Sequence, residues 1–299
     1  MIGAGSAALR RVMSGTKGGD DASPDPSFLS PSDQSASLED DSINAIIEGE
    51  IIPRLMMAHS IGSELSGSVR KPEIDPSDAD RFAALPLRLE APNLLEEVDA
   101  FLADGVSVEA IFLDLLAPAA RHLGEMWKSD DADLIDVTMG LWRLQEVMRE
   151  ISARVPIRPA FVAPDASRSL FAPMPGDQHY FGALILDEVF ARAGWKSRVM
   201  TKPLRKELLD AISTEPFDVV GLTLSRDCPS AAIRNLIKAM RSVSSNPNLS
   251  ILIGGHMINQ NPALVAEVGA DGTGADARAA LNVARTLVQS AQVRAQKLK

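Results

Sequence analysis

From residue 168 to its end the chain alternates between two hydrophobic periods, and this alternation restricts the fold more than any other feature. Short stretches at 168–174, 195–201, 217–225 and 249–255, with a brief one near Gly272, read as strands. Apolar residues at helical spacing fill 183–193, 204–213, 229–242, 260–268 and 276–292. Strands separated by helices cannot pair as hairpins, so they pair in parallel through right-handed crossovers. The pattern predicts an α/β domain of flavodoxin/Rossmann-like type, with a five-stranded parallel sheet in the order 2-1-3-4-5.

Upstream the period is helical throughout. Stretches at 76–85, 93–104, 107–127 and 133–153 predict a four-helix bundle. A further helix at 43–59 precedes it, carrying Ile43, Ile46, Ile47, Ile51, Leu55 and Met56, with a kink near Gly49 or Pro53. Residues 1–41 hold Gly, Ser, Asp and Pro with few apolar residues after Met13, the composition of a disordered acidic tail. The expected division is therefore 1–41 tail, 42–156 helical cap domain and 157–299 α/β domain, joined by a Pro-rich link at 155–164.

Several classes fall away on composition. Gly3-Ala4-Gly5-Ser6 imitates a dinucleotide fingerprint, but no strand fits into the residues before it. The N-terminal apolar stretch is too short for a signal peptide, with Arg10-Arg11 on its wrong side, and no apolar run is long enough for a bilayer. One cysteine, Cys228, excludes a disulfide framework and matches a reducing cytoplasm. A net charge of −10 opposes direct binding to DNA, whose phosphates are neutralised by Lys and Arg.

The chemistry concentrates in Asp177-Gln178-His179-Tyr180-Phe181-Gly182, on the loop between the first predicted strand and its helix. In doubly wound sheets such loops lie at the carboxyl ends of the strands, where ligands bind. Asp177 is placed to take one ring N–H of His179 and fix its tautomer, as partners of metal-bound histidines do. Alone, Asp-x-His fits a locally packed histidine better than a ligand. Two later motifs change the balance: Gly221-Leu222-Thr223-Leu224-Ser225 and Ile253-Gly254-Gly255. Their order and spacing resemble the cobalamin-binding domain of methionine synthase, the carbon-skeleton mutases and related photoreceptors.

That resemblance implies cobalamin, in hydroxo, methyl or adenosyl form, as cofactor. It makes His179 the metal ligand, replacing the cofactor's own dimethylbenzimidazole below cobalt, and imidazole suits such a metal. It implies that Asp177, Gln178, Tyr180, Gly182, Thr223, Ser225, Gly254 and Gly255 bind the cofactor, the glycines leaving room for a bulky heterocycle near the backbone. The family's middle motif is Ser-x-Leu, and Thr223 and Ser225 stand at its two ends, so this chain keeps the hydroxyl and has no leucine side chain to pack on the tail. A serine continuing the Asp-His chain is Ser225 or Ser230.

Leu123-Gly124-Glu125-Met126-Trp127 resembles the cap segment that lays a tryptophan over the upper face of the corrin. In light-sensing transcription factors this is followed by Glu-His, the histidine being an upper ligand; Val137 and Thr138 stand at those positions. Glu50-Ile51-Ile52-Pro53-Arg54-Leu55-Met56-Met57-Ala58-His59 ahead of such a cap resembles the AerR/PpaA family, cobalamin-binding antirepressors of photosynthesis genes. This implies a light-responsive, cytoplasmic, non-enzymatic regulator acting on a redox-responsive repressor of CrtJ/PpsR type, with His59 as the spare imidazole for an upper ligand. The alternatives are a corrinoid carrier protein of a methyltransferase system and a haem-binding relative. His122 and His256 have no neighbours at ligand spacing and are expected to be surface or locally bonded residues.

Overall fold

The computed structural model describes residues 73–157, 163 and 165–297. All lie in one compact unit, Arg70–Lys299. The tail at 1–41, the helix at 43–59 with His59, and most of the link at 155–164 lie outside the described residues.

Helix α1 (Pro76–Ala83) starts where Asp75 accepts from the Ser77 N–H at 2.8 Å, with Pro76 in the first turn, where its missing N–H costs nothing. Helix α2 (Ala91–Ala103) follows. The third stretch begins as α3 (Val108–Ala110) under a Ser107 cap, passes through a π-helical segment, Ile111–Leu116, and continues as α4 (Ala117–Lys128). Pro118 accounts for the irregularity: it has no N–H to donate to the Asp114 carbonyl and its ring crowds that oxygen, and the wider π turn relieves both. Helix α5 (Leu134–Arg154) is capped by Asp133, which accepts from the Asp136 N–H at 2.7 Å. Ion pairs from Arg143 to Glu90 and from Arg154 to Asp99 join α5 to α2 and its approach.

The second half alternates as expected: β1 (Arg168–Pro173), α6 (Phe181–Arg192), β2 (Lys196–Val199), α7 (Arg205–Thr214), β3 (Val219–Thr223), α8 (Ser230–Val243) and β4 (Ser250–Gly254). Next come α9 (His256–Gln260), α10 (Leu264–Val268) and α11 (Ala277–Lys297). The sheet is parallel in the order β2-β1-β3-β4. It has four strands and not the expected five; the fifth is reduced to one bridge, Leu252↔Gly272. Asp271 is fastened to Ile251 through backbone and carboxylate, and a Cβ at Gly274 would stand 2.3 Å from the Ala280 backbone nitrogen, so only glycine fits where the chain turns into α11. A glycine-rich stretch of this length pairs poorly. Of the helix expected at 260–268 only α10 and the last residue of α9 are helical, because Pro262 cannot continue α9.

Strand residues alternate between two cores. Leu170, Ala172, Val220, Leu222, Ile251 and Ile253 face α7, α8 and α10. Phe171, Val219 and Leu252 face the other way, in a cluster shared with α6, α11 and Leu94, Phe112, Leu116 and Leu144 of the helical region. Gly221 exists in this sheet because of Phe171: a Cβ there would stand 2.6 Å from the ring, which also packs edge-on against Phe190. Replacing Gly221 by Ala is expected to cost about 1–3 kcal/mol by overpacking. Gly124→Ala, where a Cβ meets nothing within 4 Å in mid-helix, is expected to gain about 0.5–1 kcal/mol. Thermal unfolding of the two variants measures both.

Asp187 on α6 lies beside Ser197 on β2, with one carboxylate oxygen buried and unpartnered among the described residues. Burial pushes its carboxyl above the ordinary range, opposed by the Ser197 hydrogen bond and aided by Glu188. The folded state therefore holds this proton more tightly than the unfolded chain, and stability is lost as pH rises through the raised value. Asp187→Asn should raise the melting temperature at pH 7 by a few degrees, about 1 kcal/mol, and the advantage should vanish near pH 3.

Candidate cofactor site at the carboxyl ends of the strands

Beyond β1 the chain turns through Gly176, at φ +90°, and brings Asp177 back beneath the loop. Asp177 is 8% exposed and both its carboxylate oxygens accept hydrogen bonds. Its Oδ1 accepts from the His179 backbone N–H at 3.0 Å and from His179 Nδ1 at 2.7 Å. Its Oδ2 accepts from the backbone N–H of Ser225, beyond β3, at 3.2 Å. Burial alone would raise the carboxyl pKa, but the His179 and Ser225 hydrogen bonds outweigh it and hold the group below its ordinary value. An ionised carboxylate only accepts, so the ring donates through Nδ1, and in the neutral imidazole the Nε2 lone pair is left bare. The His179 side chain is 51% exposed, so that lone pair is open to a ligand.

The other motifs converge on the same edge. Thr223 ends β3, buried, with a hydroxyl that has no partner among the described residues, and its methyl faces Gly182. Leu224 donates its N–H to the Gly254 carbonyl at 2.8 Å. Gly255 has φ +100°, and a Cβ there would stand 2.6 Å from the Leu224 carbonyl, so both conformation and space demand glycine. Asp177, His179, Gly182, Thr223, Ser225, Gly254 and Gly255 are thus assembled across three adjacent strand ends. Of the two serines left open by the sequence, Ser225 meets Asp177, through its backbone and not its hydroxyl.

Gln178 is exposed on the loop. Tyr180 turns away to α5, its hydroxyl donating to Gln145 Oε1 at 3.0 Å with Lys202 over its ring. Trp127 ends α4 half exposed. The neighbouring Lys128 donates to His256 Nε2 at 2.6 Å, so His256 is bonded, but to a residue far away in sequence. Arg226 places Nε 3.9 Å from Asp177 Oδ1 and donates to the Gly176 carbonyl. Spacing carries no signal for the Tyr180, Lys128 or Arg226 interactions, because each joins segments whose proximity only the fold creates.

A parallel sheet with this loop constellation at its carboxyl edge defines a B12-binding domain protein, and the model of the B12 binding domain matches residues 167–282. An uncharacterized 20.5 kDa protein from the bchF-crtJ intergenic region of Rhodobacter capsulatus is 30% identical over 173 residues, spanning 58% of this chain and 89% of that protein. The chain belongs to the AerR/PpaA family, and cobalamin is its cofactor. The fold is also that of the monomethylamine corrinoid protein of Methanosarcina barkeri, with a TM-score of 0.56 at 14% identity over 70% of this chain and 96% of that one.

The residues present fit this cofactor. His179 offers a bare Nε2, the Thr223 hydroxyl lacks a partner among the described residues, and at Gly254 an added Cβ would come no closer than 3.8 Å to another part of the chain. Among the described residues no three His, Cys, Asp or Glu side chains converge on one point. Asp177→Ala removes the acceptor that ties the two loops. Amide hydrogen exchange at His179 and Ser225 should then accelerate about 10-fold to 100-fold, as the loss of charge-assisted hydrogen bonds implies, with β1 and β3 amides unchanged.

Proposed function

We propose that this chain is a cobalamin-dependent, light-responsive regulator that relieves repression by a CrtJ/PpsR-type transcription factor, and that it catalyses no reaction of its own. The observation that carries the cofactor part is the Asp177–His179 pair with its outward Nε2. His179 takes the lower position on cobalt, Asp177 sets its tautomer, and Thr223, Ser225, Gly254 and Gly255 line the path of the nucleotide tail. The helices before residue 156 act as a cap, with Trp127 over the upper face of the corrin. When bound, the cofactor would supply a light-sensitive cobalt centre. His59, the proposed upper ligand, lies outside the described residues.

The partner is supported by the family and by the bchF-crtJ position of the Rhodobacter capsulatus relative. Protein contact, and not operator binding, follows from the net charge of −10, which opposes approach to a polyanion. Among the described residues no helix is long and apolar enough to cross a membrane. The Tyr180–Gln145 hydrogen bond offers a route from the cofactor loop to the helical region.

An absorption spectrum of the purified protein, before and after green light, tests this. Bound alkylcobalamin should convert to the hydroxo form, and His179→Ala should lower affinity for hydroxocobalamin at least about 10-fold, the scale of a lost metal-site partner. In gel shifts the protein alone should leave promoter DNA unshifted and should change occupancy by the repressor only when loaded. A haem spectrum would replace the cofactor. Methyl transfer to a partner enzyme without any effect on the repressor would make the chain a corrinoid carrier.

A further inference from the structure

The acidity of the chain is unevenly placed. Residues 73–157 hold 18 Asp and Glu against 7 Lys and Arg, whereas 165–299 hold 16 Lys and Arg against 12 Asp and Glu. The surplus is densest from Lys196 to Lys206, where five cations occur without a carboxylate. On β2 itself, the outermost strand, Lys196 and Arg198 guard an open sheet edge against pairing with another chain. Lys202, Arg205 and Lys206 lie beyond the strand and have no such duty.

These three are exposed, and among the described residues none forms an ion pair. Arginines on the adjoining elements differ: Arg192, Arg198, Arg234 and Arg241 meet Glu188, Glu215, Glu267 and Asp271 in turn. Glu207, next to Lys206, turns its carboxylate back to the Leu204 N–H at 2.9 Å. Amid the cations stands Leu204, 67% exposed. It occupies the cap position of α7, where leucine has no oxygen to offer the first turn, so neither burial nor capping accounts for it. An exposed apolar side chain ringed by unpaired charge has the make-up of an interface anchor and its rim.

We propose that Leu204, with Lys202, Arg205 and Lys206, forms a docking surface for an extended acidic segment of a protein partner that carries an apolar residue among its carboxylates. Charge complementarity favours a peptide over a nucleic acid. A peptide covers only the patch, and charges farther off than about 8 Å are screened from it at physiological salt. A long polyanion meets the field of a chain whose net charge is −10. The surface adjoins the cofactor loop, since Lys202 lies over the Tyr180 ring, 5.7 Å from its centroid, and Tyr180 follows His179. A partner seated there rests against that loop; this use in regulation depends on the proposed function, and the docking itself does not.

The test is fluorescence anisotropy of a labelled peptide of about 12 residues, Glu and Asp around a central Leu, titrated with the full chain without cobalamin. Wild type should bind, and raising the salt from low to high should weaken binding about 10-fold. Lys202→Glu combined with Lys206→Glu should cost about 10-fold or more, and Leu204→Ser about 10-fold, the scale of burying one leucine. All three positions are exposed, so melting curves should overlay that of wild type. Reversing the exposed Arg285 and Arg294 of α11 should leave binding within about 2-fold. No binding by wild type, or equal losses on reversing Arg285 and Arg294, would overturn the assignment while leaving His179 ligation untouched. Tighter binding of oligo-dT, lost on the Lys202 and Lys206 reversals, would give the surface to nucleic acid. Self-association lost on those reversals, in place of peptide binding, would give it to a second copy; either result overturns the proposal.

Discussion

The site depends on one buried carboxylate. Asp177 accepts from residues beyond two different strands, His179 after β1 and Ser225 after β3. A charge held in so little solvent persists only because its oxygens are hydrogen-bonded, and those same bonds fix the two loops to each other. Ring orientation, tautomer and the spacing between neighbouring strand ends are thus set together. Arg226 stands 3.9 Å away on the solvent side and does not displace the imidazole.

Around this point the packing follows from the sheet. The face bearing Phe171 is covered by α6 and α11 and also shares its core with the preceding helices, so the helical region and the sheet are one hydrophobic body on that side. Polar interactions mark the seam: Tyr180 with Gln145, Lys128 with His256, and Arg278 with Asp114 at 3.2 Å. The first two lie beside cofactor-loop residues, whereas the third joins the start of α11 to the π-helical segment.

The alternation of periods makes the first four strands, their order and most helix limits legible; β1, β3 and β4 are written as apolar runs because they are buried on both faces, whereas the edge strand β2 is legible only from its place between two helices. The fifth strand fails for a local reason. Gly272 and Gly274 sit against α11 with no room for side chains, and only the packed structure reveals that crowding. The expected helix at 260–268 is too long because the apolar spacing runs on across Pro262, where the backbone cannot. In the site, Asp177 and His179 are legible since they are two residues apart. Tyr180 has a cofactor-binding place in the motif, yet its hydroxyl reaches into α5. His256 lies on the surface as expected, and the fold also gives it a partner from 128 positions away.

The π-helical segment before Pro118 sets the direction of Trp127. A π turn amounts to one residue inserted in an α-helix, which rotates everything downstream by about 100°. The face that α4 turns toward the sheet's carboxyl edge is therefore offset from the one a regular helix starting at Ser107 would turn there. A relative whose helix runs regularly through this stretch matches the tryptophan in space only if the alignment opens a single-residue gap before it.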